Sequence, residues 1–249
     1  QDAAAAIRER LARNETVLGC FLSLGSALTA ELMGAAGYNW ALIDLEHGAG
    51  DERDTLAQMQ ALAACGCSAF VRVEGNARQR VHRVLDFGAH GVMFPRIDTV
   101  EDASAAVAAM RYQPGGLRGV AFSNRACGYG SNFRPYMQGS EGLITVVQIE
   151  SPLAVENAPA IAAVNGVDVL FVGPSDLSHS LGSLGGFTTP EYVSAIERTA
   201  KAAKDNGKHC GILLPAATDF AFYHAQGYRF IASGADAVLY PPTVAPPDD

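Results

Sequence analysis

The chain has 249 residues, a length that suits one large domain, and its formal net charge of −8 excludes the basic footprint of a nucleic-acid-binding protein. It is 49% hydrophobic and 18% charged, which gives enough apolar material for a sizeable core and too little charge for a disordered chain. No run approaches about 18 consecutive apolar residues, so no membrane span is expected.

Gln1–Asn14 reads as an Ala-rich helix carrying Arg8, Arg10 and Arg13 rather than as a signal peptide, which points to a cytoplasmic protein. Val17–Ser23 is the first strand, and Ser26–Ala36 is a helix opened by a Ser cap and stopped at Gly37. The second strand, Trp40–Leu45, is followed by a helix over Asp51–Ala64 that stops before Gly66. Ala69–Val73 and Gly91–Pro95 are the third and fourth strands, with helices over Ala77–Phe87, ending at Gly88, and over Val100–Arg111. A long Gly-, Arg- and Tyr-rich connection, Gln113–Glu141, then breaks the rhythm; loops of that length are usually functional or carry short helices.

The alternation resumes with strand Leu143–Ile149 and helix Pro152–Ala163, which has Pro in its first turn. Strand Asp168–Val172, helix Pro190–Asn206, strand Cys210–Leu214, helix Thr218–Gln226 and strand Arg229–Ala232 complete the series. Most strands are unbroken apolar runs, as in parallel sheets buried on both faces. Eight strand segments alternating with helices, without a linker between halves, predict one closed (β/α)8 TIM barrel over residues 1–240. Pro241–Asp249 cannot continue a helix and reads as a disordered Pro-rich tail.

Barrel active sites form at the C-terminal ends of strands. Strand two ends in Asp44-Leu45-Glu46-His47-Gly48, and strand three carries Arg72 with Glu74 beyond it. Strand four ends in Pro95-Arg96, strand five in Gln148-Ile149-Glu150, and strand six in Gly173-Pro174-Ser175-Asp176. Glu150 and Asp176 end adjacent strands. Their carboxylates either share a hard divalent cation, with the other positions left to water and substrate, or each caps the next helix. The turn at Gly173–Asp176 offers backbone N–H groups to a substrate carboxylate. Arg72, inside an apolar strand, needs an anionic partner, which is either a structural Glu or a ligand. Asp44 and His47 form either an oriented general base or a structural pair. His82, His90, His179, His209 and His224 read as surface or structural residues. Cys20, Cys65, Cys67, Cys127 and Cys210 are an odd, scattered set, read as buried thiols rather than zinc or redox sites.

The stretches LIDLEHG (Leu42–Gly48), VRV (Val71–Val73), LDFGAHGVMFPRI (Leu85–Ile97), RYQPGGLRGV (Arg111–Val120), VVQIES (Val146–Ser151) and VDVLFVGPSDLSHSLG (Val167–Gly182) occur in one order along the chain. Together they resemble the metal-dependent class II pyruvate aldolases of the 4-hydroxy-2-oxoheptanedioate and 2-dehydro-3-deoxyglucarate aldolase family, with macrophomate synthase and the citrate lyase β-type enzymes more distant. The resemblance implies a divalent metal ion (Mg²⁺, Mn²⁺ or Co²⁺) held by Glu150 and Asp176. It implies a substrate carboxylate on the Gly173, Pro174, Ser175 and Asp176 backbone, and Arg72 donating to the keto oxygen. His47, oriented by Asp44, is implied to act as base through a water. Gln148 and Leu213 are implied as pocket residues, and Arg125 resembles a family arginine of the long loop.

The implied reaction adds the enolate of pyruvate or hydroxypyruvate reversibly to an aldehyde, giving a 4-hydroxy-2-oxo acid. Oxaloacetate decarboxylation or macrophomate-synthase-like enolate chemistry is the alternative at the same site, and a keto-acid-sensing barrel without turnover is a third reading. Lys201, Lys204 and Lys208 are the chain's lysines, and all lie around one late helix, away from every strand end. That placement argues independently against a Schiff-base mechanism. A homo-oligomer, hexameric in the family, is also implied. The chain departs from the pattern after Gly234–Tyr240, where prolines follow instead of a long final helix. An acidic acceptor would call for a positive loop residue, with Arg96 and Arg125 as candidates.

Overall fold

Eight parallel strands pair in sequence order and close on themselves in the computed structural model, which describes residues 3–215 and 219–238. The strands are β1 (Val17–Leu22), β2 (Trp40–Asp44), β3 (Ser68–Arg72), β4 (Gly91–Phe94), β5 (Ile144–Ile149), β6 (Val169–Val172), β7 (His209–Leu213) and β8 (Tyr228–Ala235). The helices are α1 (Ala3–Ala12), α2 (Ala27–Ala35), α3 (Glu52–Ala64), α4 (Arg78–Phe87), α5 (Val100–Met110), α6 (Phe133–Gly139), α7 (Pro152–Ala163), α8 (Pro174–Ser180), α9 (Pro190–Asp205) and α10 (Phe220–Ala225). Every predicted strand is present, and the (β/α)8 TIM barrel is the observed architecture. The largest difference is in β8, which continues three residues past the predicted end, to Ala235. The predicted helix start at Thr218 and the Pro-rich tail lie outside the described residues.

Helix ends follow their local chemistry. Asp51 and Thr99 form capping boxes at the starts of α3 and α5, and Ser151 caps α7 ahead of Pro152. Most of the helices bury one face on the outside of the strands, α6 burying none, whereas the barrel interior is a separate cluster rich in aromatic rings. Trp40 stacks on Phe230 with ring centroids 4.0 Å apart, and Phe70 meets both rings edge-on. Small residues on neighbouring strands make this possible. A Cβ at Gly19 would sit 2.1 Å from the Trp40 ring, and one at Gly91 would sit 2.4 Å from Phe70. Ile7 and Leu11 of α1 join the same cluster. The Arg8 guanidinium fastens α1 to the starts of β5 and β6 by donating to Asp168 at 2.8 and 2.9 Å and to the Gly142 and Leu143 carbonyls. Phe230→Ala should therefore cost about 3–5 kcal/mol, read as a lowered urea midpoint at unchanged slope.

The long connection Gln113–Glu141 joins the end of α5 to the start of β5, so it starts and ends at the face opposite the strands' C-terminal rim. It carries α6 and is pinned to α4. Buried Arg118 donates to Asp86 Oδ1 at 2.9 Å and to the Tyr136 hydroxyl at 3.0 Å, with its guanidinium 4.6 Å from the Tyr112 ring centroid. The loop is thus not part of its own barrel's catalytic rim, and Arg125, a candidate for an acidic acceptor, lies with it away from that rim.

Candidate active site

The rim begins with the register of β2 and β3, which places Asp44 directly beside Arg72. Arg72 Nε donates to Asp44 Oδ1 at 2.9 Å and Nη2 donates to Oδ2 at 2.6 Å, a bidentate pair in which the Arg72 side chain is 10% exposed. Nη1 lies 3.1 Å from Glu46 Oε2, and the guanidinium packs over the Phe21 ring at 5.3 Å. Burial alone would raise the Asp44 carboxyl, but the Arg72 pair outweighs it and holds the group below the usual carboxylate range. Burial likewise works against the Arg72 charge, and Asp44, Glu46 and Glu150 more than restore it.

Glu150, at the end of β5, is 5% exposed. Its Oε1 accepts the Arg96 backbone N–H at 2.7 Å, and its Oε2 accepts from Gln148 Nε2 at 3.1 Å. Arg96 takes a left-handed backbone (φ 51°) to aim that N–H, a local strain of the kind stored at functional sites. Burial pushes the Glu150 carboxyl up to about 7; the Arg96 N–H opposes this, while Asp176 and Glu46 add to it as neighbouring negative charges. Glu46 is also raised, first by burial and then by Asp44 and Asp176, against the pull of Arg72 and His47. Electrostatic coupling therefore links Glu46, Glu150 and Asp176 across one end of the barrel.

The donor set suits a hard divalent cation. Gln148 Oε1 is buried without a hydrogen-bond partner beside Glu150. Gly173 has no Cβ to crowd the carboxylate: one built there would stand 2.4 Å from Glu150 Oε2. Asp176 is exposed in the first turn of α8, whose N-cap, Gly173, supplies no side-chain acceptor. Among the described residues no three His, Cys, Asp or Glu side chains surround one point. A cation here would have to be completed by oxygens from outside the chain, as Mg²⁺-like ions accept.

Residues 17–241 match the family model described as HpcH/HpaI aldolase/citrate lyase. The chain belongs to that family. It is 40% identical to 5-keto-4-deoxy-D-glucarate aldolase of Salmonella paratyphi C (strain RKS4594), over 91% of this chain and 88% of that one. A solved HpcH/HpaI aldolase/citrate lyase family protein from Burkholderia cenocepacia J2315 superposes with a TM-score of 0.88 at 40% identity, covering 93% of each chain. The HpcH/HpaI aldolase from Desulfitobacterium hafniense DCB-2 does so with a TM-score of 0.87 at 29% identity, over 92% of this chain and 90% of that one. The chain is accordingly an enzyme, a carbon–carbon lyase of aldolase type.

Within this HpcH/HpaI barrel the sequence-predicted residues separate into those brought together and those not. Asp44, Arg72, Gln148, Glu150 and Asp176 converge, and Leu213, half-buried at the end of β7, packs on the interior cluster. Asp44 does not orient the His47 ring. Its carboxylate is committed to Arg72 and reaches His47 only through the backbone N–H, at 3.3 Å. The imidazole is 67% exposed, with Nε2 3.9 Å from Glu46 Oε2. Arg72 therefore has protein anions as partners before any ligand arrives. Arg125 lies elsewhere: its Nη1 donates to the Phe87 carbonyl at 2.6 Å, at the far end of α4. Two participants were missed, Glu46 and the Arg96 main chain. Glu46 stood within the quoted motif, but nothing in sequence announces a backbone N–H role. All five cysteines are free thiols, four of them buried.

Proposed function

We propose that this enzyme is a divalent-metal-dependent aldolase joining a pyruvate-type enolate to an aldehyde, with Glu150 and Asp176 holding the cation. The observation that carries this reading is the buried Glu150 carboxylate, set among other carboxylates beside an unpartnered Gln148 oxygen. Bound there, a divalent cation would act as a Lewis acid that acidifies the methyl protons of a 2-oxo acid. Arg72, clamped by Asp44, keeps part of its fan of N–H donors free for the oxygen on which negative charge develops. The uncapped start of α8 over Gly173, Pro174, Ser175 and Asp176 receives the substrate carboxylate. His47, exposed on the rim beside Glu46, takes the methyl proton through a water, and Leu213 forms an apolar wall.

A glucarate-derived substrate, as in the Salmonella relative's name, would leave a carboxylate on the aldehyde half, and exposed Arg96 is the rim cation placed to receive it. By family likeness we also propose a homo-oligomer, which light scattering tests. Purified protein should exchange pyruvate methyl protons with D₂O when Mg²⁺, Mn²⁺ or Co²⁺ is supplied, and stop when EDTA is added. Exchange that survives exhaustive chelation, or none after reconstitution, rejects the proposal. Oxaloacetate loss with no aldehyde present, and no aldol product from any aldehyde, would favour the decarboxylase instead.

A further inference from the structure

The chain's three lysines surround a cavity at the opposite end of the barrel from the carboxylate rim. The cavity, of about 820 Å³, lies between the end of α9, the starts of β7 and β8, and the segment after α1. Its charged lining is Lys201, Lys204, Lys208 and Arg229 against Glu197 and Asp205. Asp205 is already spent on Lys201, at 2.5 Å. Lys204 and Lys208 have no ion pair among the described residues. Arg229 uses Nε on the Asn14 carbonyl and Nη1 on the His224 and Tyr228 carbonyls, which leaves Nη2 without a partner among them.

Lysines near a helix C-terminus complement the helix dipole, which accounts for Lys201 and Lys204. It does not account for Lys208, beyond the helix end, or for Arg229, on another strand, both half-buried on the same cavity. In a protein of net charge −8, such a concentration of cations is local and not a general surface property. A volume within the usual range of about 300–1,000 Å³ for small-molecule sites adds room for more than a single ion.

We propose that this cavity is a second ligand site, for a small phosphorylated metabolite whose phosphate oxygens are shared by Lys204, Lys208 and Arg229. Lysine binds phosphate as a point charge, and a free guanidinium nitrogen adds a directional donor. The site is separate from the aldolase chemistry and does not depend on the assignment of the metal.

Inorganic pyrophosphate, titrated calorimetrically into metal-free protein, is the probe. Saturable binding should weaken about tenfold or more in the Lys204→Gln/Lys208→Gln double variant, a loss equal to one charge-assisted hydrogen bond. Because Lys204 is exposed on the last turn of α9 and Lys208 is only half-buried beyond it, the variant should melt within a few degrees of the parent. Hydrogen exchange on the unmutated protein provides a check that needs no variant: pyrophosphate should protect amides in 204–210 and 226–229. Absence of saturable binding, equal affinity in the double variant, or protection confined to 173–177 overturns the proposal.

Discussion

Glu150→Gln should cut turnover at least a hundredfold and at the same time stabilise the metal-free protein at alkaline pH. Glutamine keeps the shape and can still accept the Arg96 N–H, so the strained turn at Arg96 has no reason to move. What it removes is the charge. Loss of an outer-sphere partner already costs metal affinity about 10–100-fold, and loss of an anionic ligand costs more, so activity should fall at least a hundredfold. The stability effect has the opposite sign. In the folded, metal-free chain the carboxyl sits at about 7, above its ordinary 4.5, because burial and the charges of Asp176 and Glu46 resist ionisation. The favourable contribution of the protonated group is fully present below about pH 4.5 and is lost as pH rises through about 7, at a cost of about 3 kcal/mol. The variant never ionises there, so its melting temperature should exceed the parent's at pH 8 and converge with it near pH 4.5. A variant less stable than the parent at pH 8, or one with parental activity, would show that Glu150 is a structural carboxylate.

The barrel was easier to read from the sequence than the candidate site. The strands are apolar on both faces and end at turn residues, so local composition dictates them wherever a parallel sheet is buried on both sides. The end of β8 is different. Asp236, just beyond it, accepts the Ser23 N–H at 2.7 Å and the Thr29 hydroxyl at 2.8 Å, and donates its own N–H to the Phe21 carbonyl. Partners more than 200 residues away therefore extend that strand, and no local pattern contains them. The short α8, PSDLSHS, was foreseen only as an opening turn, because seven mostly polar residues show no periodicity. Nothing local in the sequence sets the glycines at 19 and 91 apart; their purpose, room for Trp40 and Phe70, exists only once the barrel closes.

The strand-end rule gathers the candidate site's members at one rim but does not give their pairing. Spacing in D-x-x-H suggested that Asp44 serves His47, whereas strand register sets Asp44 beside Arg72, and a buried guanidinium claims the nearer carboxylate. The position of the long loop follows from topology alone. It follows a helix and precedes a strand, so it must start and end at the N-terminal face.

The pairing makes Arg72 the second residue whose replacement should be decisive, because on the proposed mechanism one side chain carries both a structural and a chemical task. Asp44→Ala leaves a guanidinium 10% exposed without its bidentate partner, with Glu46 and Glu150 as its remaining anions, which should destabilise the fold by about 3–5 kcal/mol. Arg72→Lys keeps the charge but loses the planar fork, so one ammonium cannot satisfy both Asp44 oxygens and still donate to a substrate. Its rate should drop about 10²–10³-fold, the loss typical of one removed oxyanion donor, with a smaller loss of stability. The double variant Asp44→Leu/Arg72→Met separates the two tasks. Replacing a buried ion pair by apolar residues of similar volume is often neutral, so denaturation should return most of the stability lost in Asp44→Ala, while activity stays absent. If the double variant is as unstable as Asp44→Ala, the pair is not a self-contained ionic unit. If Arg72→Lys keeps its rate, the developing charge is met by another group, and Arg72 serves only to hold the ends of β2 and β3 together.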